Sequence, residues 1–465
     1  MQYTIPTTLP SEIFRSYDIR GIVNQSLSES IVYAIGLALG KVANDKGQQT
    51  FVLGYDHRES SPGFLRALCL GLRESGINII NIGLVPTPML YFACHYLKTY
   101  SGVMITGSHC APEYNGLKMM LAGDMLADEA IQSLANTIKA GRFISAPEGT
   151  YEERDISDAY IQAILERVSP IKKKLKIVID AGHGMMSRVA PRLFEALDCE
   201  VIPLYCSIDS SFPHHHPDPS QPENLSDLIQ VVQKEKADLG VAFDGDGDRI
   251  GVVTSAGKII WPDRLMAVFS EAMLIDSPGG TVIFDVKCSR HLGEYIAKHD
   301  GEPLLWKTGH SHIKSKMKAT SAILAGEMSG HIFFGRGWFG FDDALYAAAY
   351  LVSILAKQSL SSEAFFEKIP DSLNTPELKL AMSEEQKFPF MAEFIKSAVF
   401  PMGKVTTIDG IRVDYPDGFG LLRASNTSPY LILRFEGDTL AALERIQHVF
   451  RDNLLKLDIN LKLPF

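Results

Sequence analysis

Leu239-Gly240-Val241-Ala242-Phe243-Asp244-Gly245-Asp246-Gly247-Asp248-Arg249 joins an apolar run to three aspartates on alternate positions, with glycine between them. The apolar half reads as a buried strand and the polar half as a tight loop at its carboxyl end. Glycine lets the backbone turn, so carboxylates at i, i+2 and i+4 converge on one hard cation instead of pointing to opposite faces. Three carboxylates this close repel one another unless positive charge neutralises them. An EF-hand opens in the same way, but it needs Gly at its sixth position and Glu at its twelfth, where this chain carries Arg249 and Ser255. Oxygen donors with no neighbouring Cys or His favour Mg²⁺ over Zn²⁺.

Outward from this loop, the same unit recurs. Apolar runs ending in aspartate stand at 51–56, 177–180 and 281–285, each followed by a helical stretch and a second apolar run at 77–82, 201–205 and 303–306. A third run closes each copy, at 102–106, 239–243 and 322–325. Parallel strands alternating with helices build doubly wound sheets, whose ligands gather beyond the carboxyl ends of strands. The loops after the third runs are therefore the expected functional loops: Gly107-Ser108-His109, the aspartate loop, and Gly326-Glu327-Met328-Ser329-Gly330-His331. After residue 360 the pattern changes to a polar stretch at 361–388, then short strands around 405–413 and 430–435. The predicted architecture is α/β: three repeated doubly wound α/β domains at 1–152, 153–257 and 258–368, plus a smaller C-terminal α+β domain at 369–465, around a central cleft. In the last domain, Arg423-Ala424-Ser425-Asn426-Thr427-Ser428 lies between two apolar runs and gathers guanidinium, hydroxyl and amide donors. That is the chemistry of a phosphate cradle, although an ordinary Ser/Asn turn reads equally well in isolation.

Composition narrows the field. A chain of 465 residues exceeds one hydrophobic core, and 46% hydrophobic residues supply several. Lys+Arg 45 against Asp+Glu 55 gives a net charge of −10, which opposes nucleic-acid binding because phosphate backbones demand a basic surface. The six cysteines, Cys69, Cys94, Cys110, Cys199, Cys206 and Cys288, form no C-x-x-C pair, as expected of reduced thiols in the cytoplasm. Residues 1–10 lack the basic and apolar regions of a signal peptide, and the longest apolar stretch, 344–356, is too short for a bilayer. It reads as a buried helix, so no membrane partner is expected. The tract His214-His215-His216-Pro217-Asp218-Pro219 reads as an exposed loop with incidental histidines rather than a metal site.

Taken in order, Phe14-Arg15-Ser16-Tyr17-Asp18-Ile19-Arg20-Gly21, Thr106-Gly107-Ser108-His109, the aspartate loop with Arg249, 326–331 and 423–427 resemble the motifs of the α-D-phosphohexomutase superfamily. The resemblance is greatest to its bacterial phosphomannomutase/phosphoglucomutase branch and covers nearly the whole chain. It implies that Ser108 is phosphorylated, carries the transferable group and joins Asp244, Asp246 and Asp248 in binding Mg²⁺. It places Glu327 and Ser329 on sugar hydroxyls, with His331 assisting, and Arg15 and Tyr17 near the phosphoserine. Arg423, Ser425, Asn426 and Thr427 would hold the phosphate that is not reacting. Lys118, Lys287 and His310 carry over by local context, and the resemblance places them near the reacting phosphate and hydroxyl; Lys118, His310, Arg20 and Arg249 are the catalytic candidates for proton transfer and charge neutralisation.

The implied activity interconverts small hexose 6-phosphates and hexose 1-phosphates, primed by a hexose 1,6-bisphosphate, in a monomer or weak homo-oligomer whose last domain swings on a hinge. Met328 looks like the mannose/glucose branch, since phosphoglucosamine mutases usually place Gln there. That amino-sugar mutase and a non-catalytic sugar-phosphate binding protein are the alternatives; a phosphatase would need no second phosphate cradle. Two departures stand out. Cys110-Ala111-Pro112 replaces the family's usual Asn-Pro, so reduced activity is expected, and Gly335-Arg336-Gly337-Trp338 is more glycine-rich than usual, so a looser loop is expected.

Overall fold

In each of the first three sheets the aspartate-ending run becomes a central strand with a parallel partner on either side. Thr50–Tyr55 lies between Asn78–Leu84 and Gly102–Ile105, Lys176–Asp180 between Glu200–Leu204 and Leu239–Phe243, and Thr281–Asp285 between Glu302–Trp306 and Leu324–Gly326. These central strands are buried on both faces, which is why they read as continuous apolar runs without alternation. The computed structural model describes residues 3–168, 171, 173–426 and 428–465.

Each of these sheets then adds a strand that the apolar pattern did not separate. Tyr114–Leu121, Ile250–Thr254 and Ile332–Phe334 return antiparallel to the three third strands, so the sheets are mixed. The first of them was hidden by Asn115 and Lys118, polar residues buried inside a strand. The consequence is functional: the loops at 106–113, 244–249 and 327–331 are closed at both ends by neighbouring, hydrogen-bonded strands. The expected third run at 322–325 is shifted, its strand being Leu324–Gly326.

The last sheet is antiparallel and carries helices Glu384–Ser397 and Leu440–Leu457 against it. The expected run at 405–413 divides into Lys404–Thr406 and Ile411–Tyr415. Arg423 and Ala424 complete strand Gly418–Ala424, so the loop proper begins at Ser425; a strand pairing through to Ala424 overrides the loop reading. Thr427 lies outside the described residues.

The cores divide unevenly. One apolar cluster runs through the first three units, joining Tyr91 and Phe92 to Tyr160, Phe194, Phe269 and Trp338. The last unit has its own, around Phe394, Phe400, Phe435 and Phe450. Its junction with the third unit has only a small apolar patch, Val286 with Phe419 and Leu421. Polar contacts make up the rest: Arg412 donates to the Val286 and Cys288 carbonyls at 2.7 and 2.6 Å, and Arg434 to that of Lys287.

The glycine-rich loop at 335–338 is anchored, against expectation. Trp338 is buried, stacks on Tyr346 at 4.6 Å and donates its indole N–H to Asp343 at 3.1 Å. Asp343 also caps helix Ala344–Leu355, the buried helix read from 344–356. Among the described residues no helix is long and apolar enough to cross a membrane.

Candidate active site

Ser108 adopts φ +49°, a left-handed conformation that costs a non-glycine residue roughly 1–3 kcal/mol and persists only when its surroundings enforce it. The enforcement comes from Arg58. Its guanidinium, buried inside the loop, donates to the carbonyls of Ser108 (2.9 Å), Cys110 (2.6 Å), Ala111 (2.7 Å) and Tyr114 (2.9 Å), while Nε is held by Asp56 at 3.2 Å. Asp56 also accepts from the Gly107 amide at 3.0 Å. A side chain at 107 would collide with Arg58, its Cβ falling 2.3 Å from Nε, so glycine is required there. Sequence reading passed over Arg58, although Asp56-His57-Arg58 follows a first strand and so occupied a position where function was expected.

The serine is joined to the aspartate loop directly. Ser108 Oγ donates to Asp244 Oδ2 at 3.0 Å and lies 3.1 Å from His109 Nδ1. The other Asp244 oxygen accepts the Gly247, Asp248 and Arg249 amides at 2.9, 3.0 and 3.1 Å, which folds the loop around it. Gly247 takes φ +79°, as the tight turn requires. Asp246 accepts from Thr87 Oγ1 at 2.5 Å and from Lys118 Nζ at 2.7 Å, and Lys118 also reaches Asp248.

The donor set fits a divalent cation. All three aspartates are buried and offer oxygens within 4.8 Å of one another, and Asp246 Oδ1 and Asp248 Oδ1 have no hydrogen-bond partner. Three carboxylates facing one ammonium leave uncompensated negative charge, which an oxygen-seeking divalent ion matches. Burial and the Asp248 and Asp246 charges push the Asp244 carboxyl well up, whereas Lys118 outweighs burial at Asp246 and holds it low. Burial pulls the Lys118 ammonium down, but the aspartates more than offset it, so Lys118 stays charged. Burial and the Arg249, Arg20 and Lys118 charges keep His109 neutral.

Cys110 keeps a place in this network. Arg20 donates to its sulfur at 2.8 Å and to Asp18 at 2.5 Å, so the thiol takes a guanidinium partner in place of any amide contact. All six cysteines are free. The histidine tract is less incidental than its sequence suggested: His214 stacks on Tyr205 at 4.1 Å and bonds His183 at 2.7 Å, and His215 pairs with Asp180 at 3.0 Å. Among the described residues it belongs to no metal-ligand cluster.

A second trio, Asp248, His331 and Asp342, also has ligand atoms close together. Arg249 Nε donates to His331 Nε2 at 3.0 Å, which leaves the ring proton on Nδ1, facing Asp342 at 3.0 Å and Asp248 at 3.5 Å. That nitrogen carries its proton, so the trio offers no imidazole lone pair to a metal, and Asp342 takes its ion-pair partner from Lys314 at 2.8 Å.

The four loops meet at one cavity of about 730 Å³, whose lining does not include Ser108, the three aspartates, Lys118 or Arg20. His109 and Arg249 line it from the serine and aspartate loops, Glu327 and Ser329 from the third, and Arg423, Ser425 and Asn426 from the last unit. Tyr17, Lys287, His310 and His331 line it too, whereas Arg15 is not among the described residues that do. Tyr17 meets the His310 ring edge-on at 5.3 Å. Glu327 is buried, accepts from the Gly309 amide and from Ser329 at 3.2 Å, and is raised by burial.

Family models for phosphoglucomutase/phosphomannomutase match four consecutive segments: α/β/α domains I, II and III at 11–145, 158–257 and 261–372, and the C-terminal domain at 377–453. The chain belongs to the phosphoglucomutase/phosphomannomutase family. It is 49% identical to a phosphomannomutase/phosphoglucomutase of Pseudomonas aeruginosa, with 98% of each chain covered. It is also 49% identical to a phosphoglucomutase of Neisseria gonorrhoeae, over 96% of this chain and 97% of that one. A crystal structure of a family protein from Burkholderia thailandensis superposes with a TM-score of 0.93 at 43% identity, covering 98% of this chain and all of the other. The four segments of the family account for the four sheets, and the site draws one loop from each.

Proposed function

We propose that this family member is a phosphohexomutase, an isomerase that interconverts hexose 6-phosphates and hexose 1-phosphates of glucose and mannose. The observation that carries the reading is the single cavity lined by residues of all four loops. Each loop supplies a different need of that reaction: a nucleophile with its cation site, charge neutralisation, hydroxyl recognition and a distant phosphate anchor.

Phosphorylated Ser108 loses its P–Oγ bond as a new P–O bond forms to the free sugar hydroxyl, giving a hexose 1,6-bisphosphate. The hydroxyl proton passes to His310, which burial and the Lys314 charge hold neutral and able to accept it. The bisphosphate turns over in the cavity, and its other phosphate returns to Ser108. Lys118, Arg20 and Arg249 remain cationic and neutralise the transferring group. Asp244, Asp246 and Asp248 would hold Mg²⁺ with Ser108, and the ion supplies charge stabilisation at the phosphoryl oxygens when bound. Glu327 and Ser329 orient the sugar, while Lys287, Arg423, Ser425, Asn426 and Thr427 hold the idle phosphate.

The division into units at 1–152, 153–257, 258–368 and 369–465, a hinge before the last unit, a cytoplasmic setting and a monomer or weak homo-oligomer accompany this reading. Free cysteines and the polar junction of the last unit support it. The test is a coupled assay with mannose 1-phosphate and glucose 1-phosphate, with and without Mg²⁺, together with phosphate analysis of Ser108. Turnover of both sugars by a Ser108-phosphorylated chain is expected. Turnover confined to glucosamine 6-phosphate would make it an amino-sugar mutase, and sugar-phosphate binding without turnover would make it a binding protein.

A further inference from the structure

The phosphate anchor is furnished with its own counter-ions. Lys287 Nζ lies 2.7 Å from Glu377 Oε1 and 3.8 Å from Asp285, and Arg423 Nε donates to Asp409 at 3.0 Å. The two outer carboxylates differ. Asp409 also accepts the Thr308 amide at 3.0 Å, which ties it into the wall of the third unit. Glu377 is hydrogen-bonded by Lys287, lines the cavity beside Arg423 and Arg434, and keeps 37% of its side chain accessible. Partial desolvation in the crowded corner pushes its carboxyl up, but Lys287, Arg423 and Arg434 outweigh that and hold it at about 2, so it is ionised.

An anion in this corner has a cost for any phosphorylated ligand. A phosphate that engages Lys287 must displace Glu377 or lie against it, so the affinity of the anchor is the gain from the cations less the loss of this pair. For an ordinary binding site that would be a defect. A mutase differs, because its bisphosphate must leave the anchor and turn over in every cycle, and an anchor that held too tightly would arrest it.

We propose that Glu377 is a competing anion that sets how firmly the idle phosphate is held, weakening the anchor so that the intermediate can reorient. This inference rests on the mutase reading of the same cavity. It predicts a change in sign that a merely structural ion pair does not. Glu377→Gln keeps the shape and a hydrogen-bonding group but removes the charge. Calorimetric binding of glucose 6-phosphate should tighten about tenfold, with inorganic phosphate competing more strongly as well. In the coupled assay KM and kcat should fall together. Glu377→Asp keeps the charge and should gain no affinity.

Weaker or unchanged binding of glucose 6-phosphate by a folded Glu377→Gln chain would overturn the proposal, as would tighter binding accompanied by a higher kcat. Should Glu377→Gln melt well below the parent, inorganic phosphate binding to Glu377→Asp and to Glu377→Ala decides the matter, with a gain required of the alanine variant alone. The binding arm does not depend on turnover. A chain that binds glucose 6-phosphate but isomerises nothing would therefore sink the mutase reading while leaving the Glu377 affinity measurement to stand or fall separately.

Discussion

The two ends of the cavity are built on opposite principles. At the reaction end, Ser108, the three aspartates, Lys118 and Arg58 are all buried; Arg58 and Asp244 bind backbone groups, Lys118 is enclosed with Asp246 and Asp248, and one apolar cluster runs through the units that carry them. At the anchor end, Lys287, Arg423 and Glu377 are held by side-chain ion pairs across a polar junction, and the last unit has a core of its own. Packed cores resist continuous deformation, whereas exchangeable ion pairs can be remade against a ligand. The contrast teaches that one end is fixed before substrate arrives and the other is arranged to trade partners. A single site that accepts a phosphosugar in two orientations needs both.

The sharpest way to break this contrast is Ser108→Ala. If the reaction end is a dedicated nucleophile site, activity should fall at least about 10⁴-fold and phosphate incorporation should vanish, as the coupled assay and phosphoprotein analysis would report. Arg58→Lys comes next. Lysine cannot reproduce the fork that grips four carbonyls, so kcat should fall about 100-fold while KM moves less than about threefold. A KM effect instead would mean that the serine loop is as adaptable as the anchor.

At the other end the split should reverse. Arg423→Lys loses the planar guanidinium paired with Asp409 and should raise KM roughly tenfold with a smaller change in kcat, read from steady-state kinetics. The smallest effect tests the rigidity of the shared core through Asp343, which joins Tyr160 of the second unit to Trp338 of the third. Burial raises its carboxyl to about 7, opposed by hydrogen bonds from Tyr346, Tyr160 and Trp338. Its unfolded value is near ~4, so the folded chain binds the extra proton between these limits. The contribution to stability is full below about pH 4 and lost as pH rises to about 7. Thermal melts should show the parent losing about 2–4 °C relative to Asp343→Asn between pH 5 and pH 8.

Legibility followed the same division. The aspartate loop and the three-fold repeat were readable because glycine spacing and apolar runs act over a few neighbouring residues. The loops that hold Ser108, Glu327 and Ser329 were located by their place after a third strand, while the choice of those residues within them came from the family resemblance. The first return strand escaped because Lys118 and Asn115 put buried polar groups inside an apolar run. Trp338 reversed the expectation of a loose loop, since an aromatic ring with buried neighbours outweighs nearby glycines.

What the chain announces locally is composition and order: which stretches can be buried strands, where carboxylates and hydroxyls cluster, and that one unit is repeated. The fold alone settled who meets whom. Arg58 reaches carbonyls 50 to 56 positions away, Lys118 meets Asp246 across 128, and Glu377 finds Lys287 across 90. Such pairings depend on which strand ends adjoin in space, and no local periodicity encodes that, because burial and charge are compensated only once distant segments are packed together.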